Sequence, residues 1–200
     1  MDYPALALLE FDGIASGLKT ADAMLKKSPI AVLKCGTVHP GNYLVLIGGT
    51  VGSCQEAYQH GLNICTVVDS VFLPDIDKTV HGAALGNTMK PKHDALGILE
   101  TSTSPAILHA CDIAIKSAPV DICEIRYADD LGGKAFALFS GTLTDVEAAL
   151  QYSSSVIENQ LLRKELIPLL DENLSKLVAS GTGFSSCKLS SPAGAEKVEL

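Results

Sequence analysis

The sequence predicts an α+β fold built as two tandem β-α-β-β-α-β units, with the helices on one side of each antiparallel sheet. Three observations predict it: the chain is written twice, each copy alternates short apolar runs with helical periodicity, and turn formers punctuate the runs. Displaced by 90 residues, "ALALLE" (5–10) lies on "ALGILE" (95–100), and "ADAMLKKSPI" (21–30) lies on "CDIAIKSAPV" (111–120). Eight of the 26 positions from 5 to 30 are identical in the second copy, namely Ala5, Leu6, Leu9, Glu10, Leu18, Asp22, Lys26 and Pro29. Further on the displacement is 92, with "GNYLVLIGGT" (41–50) on "GKAFALFSGT" (133–142). The two extra residues of the second copy fall in one loop.

Each copy opens on a short apolar run, a strand. A helix follows, in which Leu18, Ala21 and Leu25 recur at i, i+3 and i+7 and predict one buried stripe. Pro29 and Pro119, just past the lysines, stop it. A second strand ("IAVLKC"; "VDICEI"), a loop and a third strand ("YLVLIGG"; "AFALFSG") come next. Thr50 and Thr142 sit where N-caps of a second helix are needed ("VGSCQEAYQHG"; "TDVEAALQYSSSVIENQ"). A last strand ("VVDSVFLP"; "LLRKELIP") closes each copy. The turn-rich "GNTMKPKH" (86–93) reads as the linker. The domains expected are 1–90 and 91–180, with a flexible, aperiodic tail over 181–200.

Bulk composition excludes several classes. With 47% hydrophobic and 19% charged residues the 200-residue chain suits packed domains, not disorder. A net charge of −8 without a basic run argues against nucleic acid. No apolar run reaches the ~20 residues of a membrane span, and "MDYPALALLEFDG" lacks the basic start and cleavage site of a signal peptide, so a cytoplasmic location is expected. The six cysteines form no C-x-x-C pair, which removes zinc-ribbon and thioredoxin readings; Cys54, Cys65 and Cys111 read as small buried apolar residues.

The segments "ALALLEFDGIASGLKTADAMLKKSPI" and "GNYLVLIGGTVGSCQEAY", answered by "ALGILETSTSPAILHACDIAIKSAPV" and "GGKAFALFSGTLTDVEAAL", resemble bacterial microcompartment shell proteins of the tandem-domain, trimeric class. The likeness spans about residues 4–178 and is greatest to the propanediol-utilisation type. It implies two ferredoxin-like domains per chain and a homotrimer that forms a six-domain pseudo-hexamer with a central pore. It also implies edge-to-edge contacts with other shell proteins around enclosed enzymes.

In that family Lys26 and Lys116 fall where an edge lysine contacts the neighbouring tile, laying its stem along the partner. The residues alone also allow intrahelical pairs with Asp22 and Asp112 at i, i+4; both roles are compatible.

The loop "KCGTVHPGN" (34–42) joins two strands, with Pro40 and Gly41 supplying turn chemistry before Asn42. In the resembled type, the residue before this proline is a cysteine, one from each chain, holding an iron–sulfur cluster at the threefold axis. Here that residue is His39, and Cys35 lies four positions back on the strand. The ordinary cluster is therefore not expected, and a protein without cofactor is the first expectation. Three readings of His39 stand: a solvated pore residue, a three-histidine metal site, or a proton-linked gate.

The second copy's loop, "YADDLGGK" (127–134), brings Asp129, Asp130, Leu131, Gly132, Gly133 and Lys134. If it faces the axis, a carboxylate ring favours cations; the alternative is an ordinary Asp-capped turn. The glycines would admit close approach of symmetry mates, and Lys134 would pair with the acids. Gly48, Gly49 and Thr50 lack the spacing of a phosphate cradle, and no nucleophile with its base or paired carboxylates suggests catalysis. The expected function is a structural shell tile controlling passage at its pore, not an enzyme. One alternative is an electron-transfer or metal-carrying shell protein built on His39. The other is a metabolite-binding regulator with two ferredoxin-like domains.

Overall fold

The computed structural model describes residues 3–183, so most of the expected tail, with Cys187, lies outside the described residues. The first copy runs β1 (Ala5–Phe11), α1 (Ile14–Lys27), β2 (Ala31–Val38), β3 (Asn42–Gly49), α2 (Val51–Leu62), β4 (Asp69–Leu73) and α3 (Lys78–Ala84). The second runs β5 (Ala95–Thr101), α4 (Ser104–Ser117), β6 (Asp121–Arg126), β7 (Ala135–Gly141), α5 (Leu143–Ser155), β8 (Leu161–Ile167) and α6 (Glu172–Ala179). The sheets have orders β2-β3-β1-β4 and β6-β7-β5-β8, antiparallel throughout. This is the α+β, ferredoxin-like arrangement expected, twice.

The helix boundaries have local causes. Thr50 and Thr142 cap α2 and α5, their hydroxyls accepting from the Ser53 and Asp145 backbone N–H groups. Helices α1 and α4 end at Ser28 and Ala118, one residue before a proline. Two short helices, α3 and α6, were not expected. Each follows the last strand of its copy, and Asp77 and Asp171 cap them with carboxylates that accept backbone N–H bonds.

Strand β1 is apolar at nearly every position because both its faces are buried. Ala5, Ala7, Leu9 and Phe11 pack against α1 and α2 through Ala21, Met24, Cys54 and Ala57. Leu6 and Leu8 face the other way, into a core that runs on without a break into the second copy, through Val71, Leu73 and Val80 to Ile107, Leu108 and Ala110. The two copies are thus one packed body. Helix α4 sits on β4 and β1 of the first copy as well as on its own sheet.

The expected buried stripe of α1 is corrected. Only Ala21 of the three is buried, while Leu18 and Leu25 are 52% and 50% exposed. The residues that face the sheet are Gly17, Thr20, Ala21 and Met24. Gly17 lies so close to Tyr43 that a Cβ there would fall 2.3 Å from its ring. In α4 the counterpart of Leu18, Leu108, is fully buried, since the first copy covers that flank.

Candidate functional site

The two copies bring their β-hairpin loops together. In the first, His39, Pro40 and Gly41 connect β2 to β3; the Gly41 N–H donates to the Val38 carbonyl at 2.8 Å. In the second, residues 127–134 connect β6 to β7. Asp130, Gly132 and Gly133 have φ of 60°, 63° and 90°, the left-handed region that glycine and aspartate tolerate best. The turn is tied by the Leu131 N–H to the Ala128 carbonyl at 3.2 Å and the Lys134 N–H to the Leu131 carbonyl at 3.3 Å.

His39 Nδ1 lies 3.1 Å from Asp129 Oδ1 and 3.4 Å from the Asp130 backbone N. Nδ1 donates to the Asp129 carboxylate when it carries the proton and accepts from the Asp130 N–H when it does not, so the two contacts belong to different tautomers. Ligand atoms of His39, Asp129 and Asp130 all lie within 4.8 Å of one another, on exposed side chains. It is the one such cluster of metal-capable groups among the described residues. A Cβ on Gly133 would lie 3.1 Å from Pro40 Cδ. The close approach this glycine permits is therefore to the other loop of its own chain.

Two side chains expected at this rim turn elsewhere. Asn42 Nδ2 donates to Glu10 Oε1 at 2.8 Å. Lys134 pairs with Glu100 at 3.6 Å, not with Asp129 or Asp130. The cause is strand register: residues 42 and 134 stand where β3 and β7 run beside the glutamates of β1 and β5. Lys26 pairs with Asp22 at 2.6 Å and is highly exposed. Lys116 pairs with Asp112 at 2.8 Å and also donates to the Asp75 carbonyl of the first copy at 2.6 Å.

Sequence reasoning missed Glu10. It is 1% exposed, and its Oε2 accepts from the Ser104 backbone N–H, at the start of α4, at 2.8 Å. Burial pushes this carboxyl above its ordinary value of 4.5, against the Asn42 and Ser104 hydrogen bonds that hold it down. Its identity in both copies was the available signal. Beside it, Thr103 Oγ1 donates to Asp69 Oδ2 at 2.5 Å.

The donor set decides which cofactor the loops suit. An iron–sulfur cluster is held chiefly by thiolates, and the rim offers one imidazole and two carboxylates. Cys35 is exposed on β2, away from the hairpin tip. Burial drives the Cys54 and Cys123 thiols up to about 12 and the Cys111 thiol well above its ordinary value, so all three stay protonated. These residues do not fit a thiolate-held cluster; they fit a divalent ion such as zinc.

A cavity of about 530 Å³ lies beside the loops, between the outer sheet face of the first copy (Leu8, Leu44, Leu46) and β6 of the second (Ile125, Tyr127). A second, of about 630 Å³, lies on the matching face of the second copy (Ile98, Phe136, Leu138) beneath α6. Arg126 borders both and stacks over Phe136 at 5.7 Å. No helix among the described residues is long and apolar enough to cross a membrane.

Comparison with known proteins agrees with the repeat. The BMC domain family matches the chain twice, over residues 5–76 and 95–169. The chain is 32% identical over 181 residues to the bacterial microcompartment shell protein PduT of Citrobacter freundii, covering 88% of this chain and 98% of that one. A crystal structure of a microcompartments protein from Desulfitobacterium hafniense DCB superposes with a TM-score of 0.76 at 32% identity, covering 86% of this chain and 98% of that chain. A fused permuted hexameric shell protein, MSM0275 of the RMM microcompartment, shares the fold at 18% identity and a TM-score of 0.56, over 76% of this chain and 81% of that chain. With two four-stranded α+β domains each matched by the same family, the chain belongs to the BMC-domain family of bacterial microcompartment shell proteins, in its tandem-domain form.

Proposed function

We propose that this shell protein assembles as a homotrimer, six domains around one opening, and tiles edge to edge with other shell proteins of a cytoplasmic microcompartment that encloses enzymes. The opening is rimmed by His39, Pro40 and Gly41 of the first loop and Asp129 to Gly133 of the second. The observation that carries this reading is the meeting of the two hairpin loops at the His39–Asp129 contact of 3.1 Å. Unlike loops from the two copies lie side by side at one end of the molecule, as a shared rim requires. Three chains then place six carboxylates there, two from each, which favours passage of cations over anions. Lys26, whose ammonium pairs with Asp22 on its own helix and is highly exposed, supplies the edge contact. Lys116 is already engaged by the Asp75 carbonyl.

A second reading has the same loops hold a metal ion, favoured by the clustering of His39, Asp129 and Asp130. Native mass spectrometry on protein purified without chelators, then with added zinc, tests both. A trimer of unchanged mass supports the plain pore. A trimer that retains zinc, and loses it in His39→Ala, supports the metal reading. A monomer, or any species that is not a multiple of three chains, removes the ring. For the edge, Lys26→Ala is expected to abolish two-dimensional sheets in electron micrographs while leaving the trimer intact.

A further inference from the structure

Charges of both signs border the cavity between the two copies, and they do not neutralise one another. Arg126 lies on its β6 wall, with the guanidinium over the Phe136 ring at 5.7 Å. Asp130 lies on the same border, at the loop position where φ is 60°. Among the described residues neither side chain makes an ion pair, although both line one space. Two further charges stand beside them and are already positioned. Lys34 Nζ donates to the Leu85 carbonyl at 2.7 Å, and Asp129 is held by His39 at 3.1 Å. Between these groups the floor is hydrocarbon: Leu8, Leu44, Leu46 and Ile125.

The twin cavity of the second copy lacks this combination. Its Glu100 and Lys134 pair with each other at 3.6 Å, and α6 covers it with Leu174 and Val178. Every residue that lines the first cavity belongs to a strand or to the 127–134 loop, so no helix lies over it. Its volume of about 530 Å³ falls in the range of small-molecule sites.

We propose that this cavity binds a small zwitterion with an apolar body, of the chemistry of an aliphatic α-amino acid. Arg126 receives the carboxylate, for which a guanidinium offers parallel N–H donors. Asp130, with Asp129 beside it, receives the ammonium. The leucine and isoleucine side chains receive the hydrocarbon. An anion alone would meet the two aspartates, and a cation alone would meet Arg126 and Lys34. A molecule carrying both charges complements the whole border. The cavity lies within one chain, so the site exists whether or not the ring forms. In the ring, a molecule bound here covers Asp130 and lowers the negative charge that the rim offers to passing cations.

Saturation-transfer NMR and titration calorimetry of the full chain test this, with L-leucine as the probe. Isocaproate and isoamylamine keep the hydrocarbon of leucine and remove one charge each. Leucine is expected to bind once per chain, and each analogue roughly tenfold more weakly. Arg126→Gln and Asp130→Asn are each expected to weaken leucine binding by roughly tenfold. In Asp130→Asn the advantage of leucine over isocaproate is expected to vanish. Thr37→Trp, at an exposed position on the border of this cavity and not of its twin, is expected to block binding while keeping the circular dichroism spectrum of the parent. Isocaproate binding as tightly as leucine, leucine binding that survives Thr37→Trp, or no saturation transfer to leucine at millimolar concentration each overturns the proposal. Native mass spectra of the same samples report the ring separately: trimers that take up no leucine overturn this site alone, and monomers that take it up overturn the ring alone.

Discussion

Glu10 is a carboxylate placed among apolar side chains so that it can cap a helix belonging to the other half of the molecule. Its raised proton affinity has a consequence of definite sign. A carboxyl whose folded value lies above its unfolded one contributes most stability below the unfolded value of 4.5, and that contribution is lost as pH rises through the folded value. Stability of the parent relative to Glu10→Gln should therefore rise as pH falls from 7 to below 4.5; urea unfolding of the two proteins across that range would show it, and a flat or falling difference would contradict the assignment. Gly17 gives a second test. Its missing Cβ is occupied by the Tyr43 side chain, including Cβ and Cγ, which have little freedom to retreat. Gly17→Ala should cost about 1–3 kcal/mol in the same assay. Gly17 carries no signal in the sequence, and Glu10 carries one, its identity with Glu100 in the second copy. A lone Glu at the end of an apolar strand reads as a solvated strand end. The direction in which Asn42 points follows from a register that one sequence does not print.

Helices show where pattern reading succeeds and where it stops. The Gly-Thr pairs predict helix starts at Thr50 and Thr142, and both residues cap as expected. Thr50→Ala or Thr142→Ala should each lower stability by about 1 kcal/mol, measured by thermal or urea unfolding. Helices α3 and α6 escaped because each has only seven or eight residues, less than the window over which periodicity is countable. Their Asp caps were visible but unsupported by a long apolar stripe. The spacing predicts that the α1 stripe through Leu18 and Leu25 is buried. In the chain that stripe is the open flank, and the core flank runs through Gly17, Thr20 and Met24, two of which are too small or polar to register as apolar.

At the scale of the whole chain, the repeat carried most of the inference. It yielded the fold class and the number of sheets, and it located the loop insertion that puts Asp129 and Asp130 next to His39. It did not reveal that the loops touch within one chain. That contact depends on how one copy is seated on the other, which is fixed by α4, by Glu10 and by the continuous core rather than by either copy alone.

The opposed charges at Asp69 and Arg163 have an evolutionary meaning. A ring of six identical subunits would present one seam six times, and any substitution would be inherited by all six at once. Joining two copies in one gene makes the inner seam and the outer seam separate heritable characters. The inner one is free to tolerate an uncharged partner for Asp69, because the peptide linker holds its halves at high local concentration. The outer one has no linker, and there β8 carries Arg163 at the register position where β4 carries Asp69, so the two seams have diverged in charge.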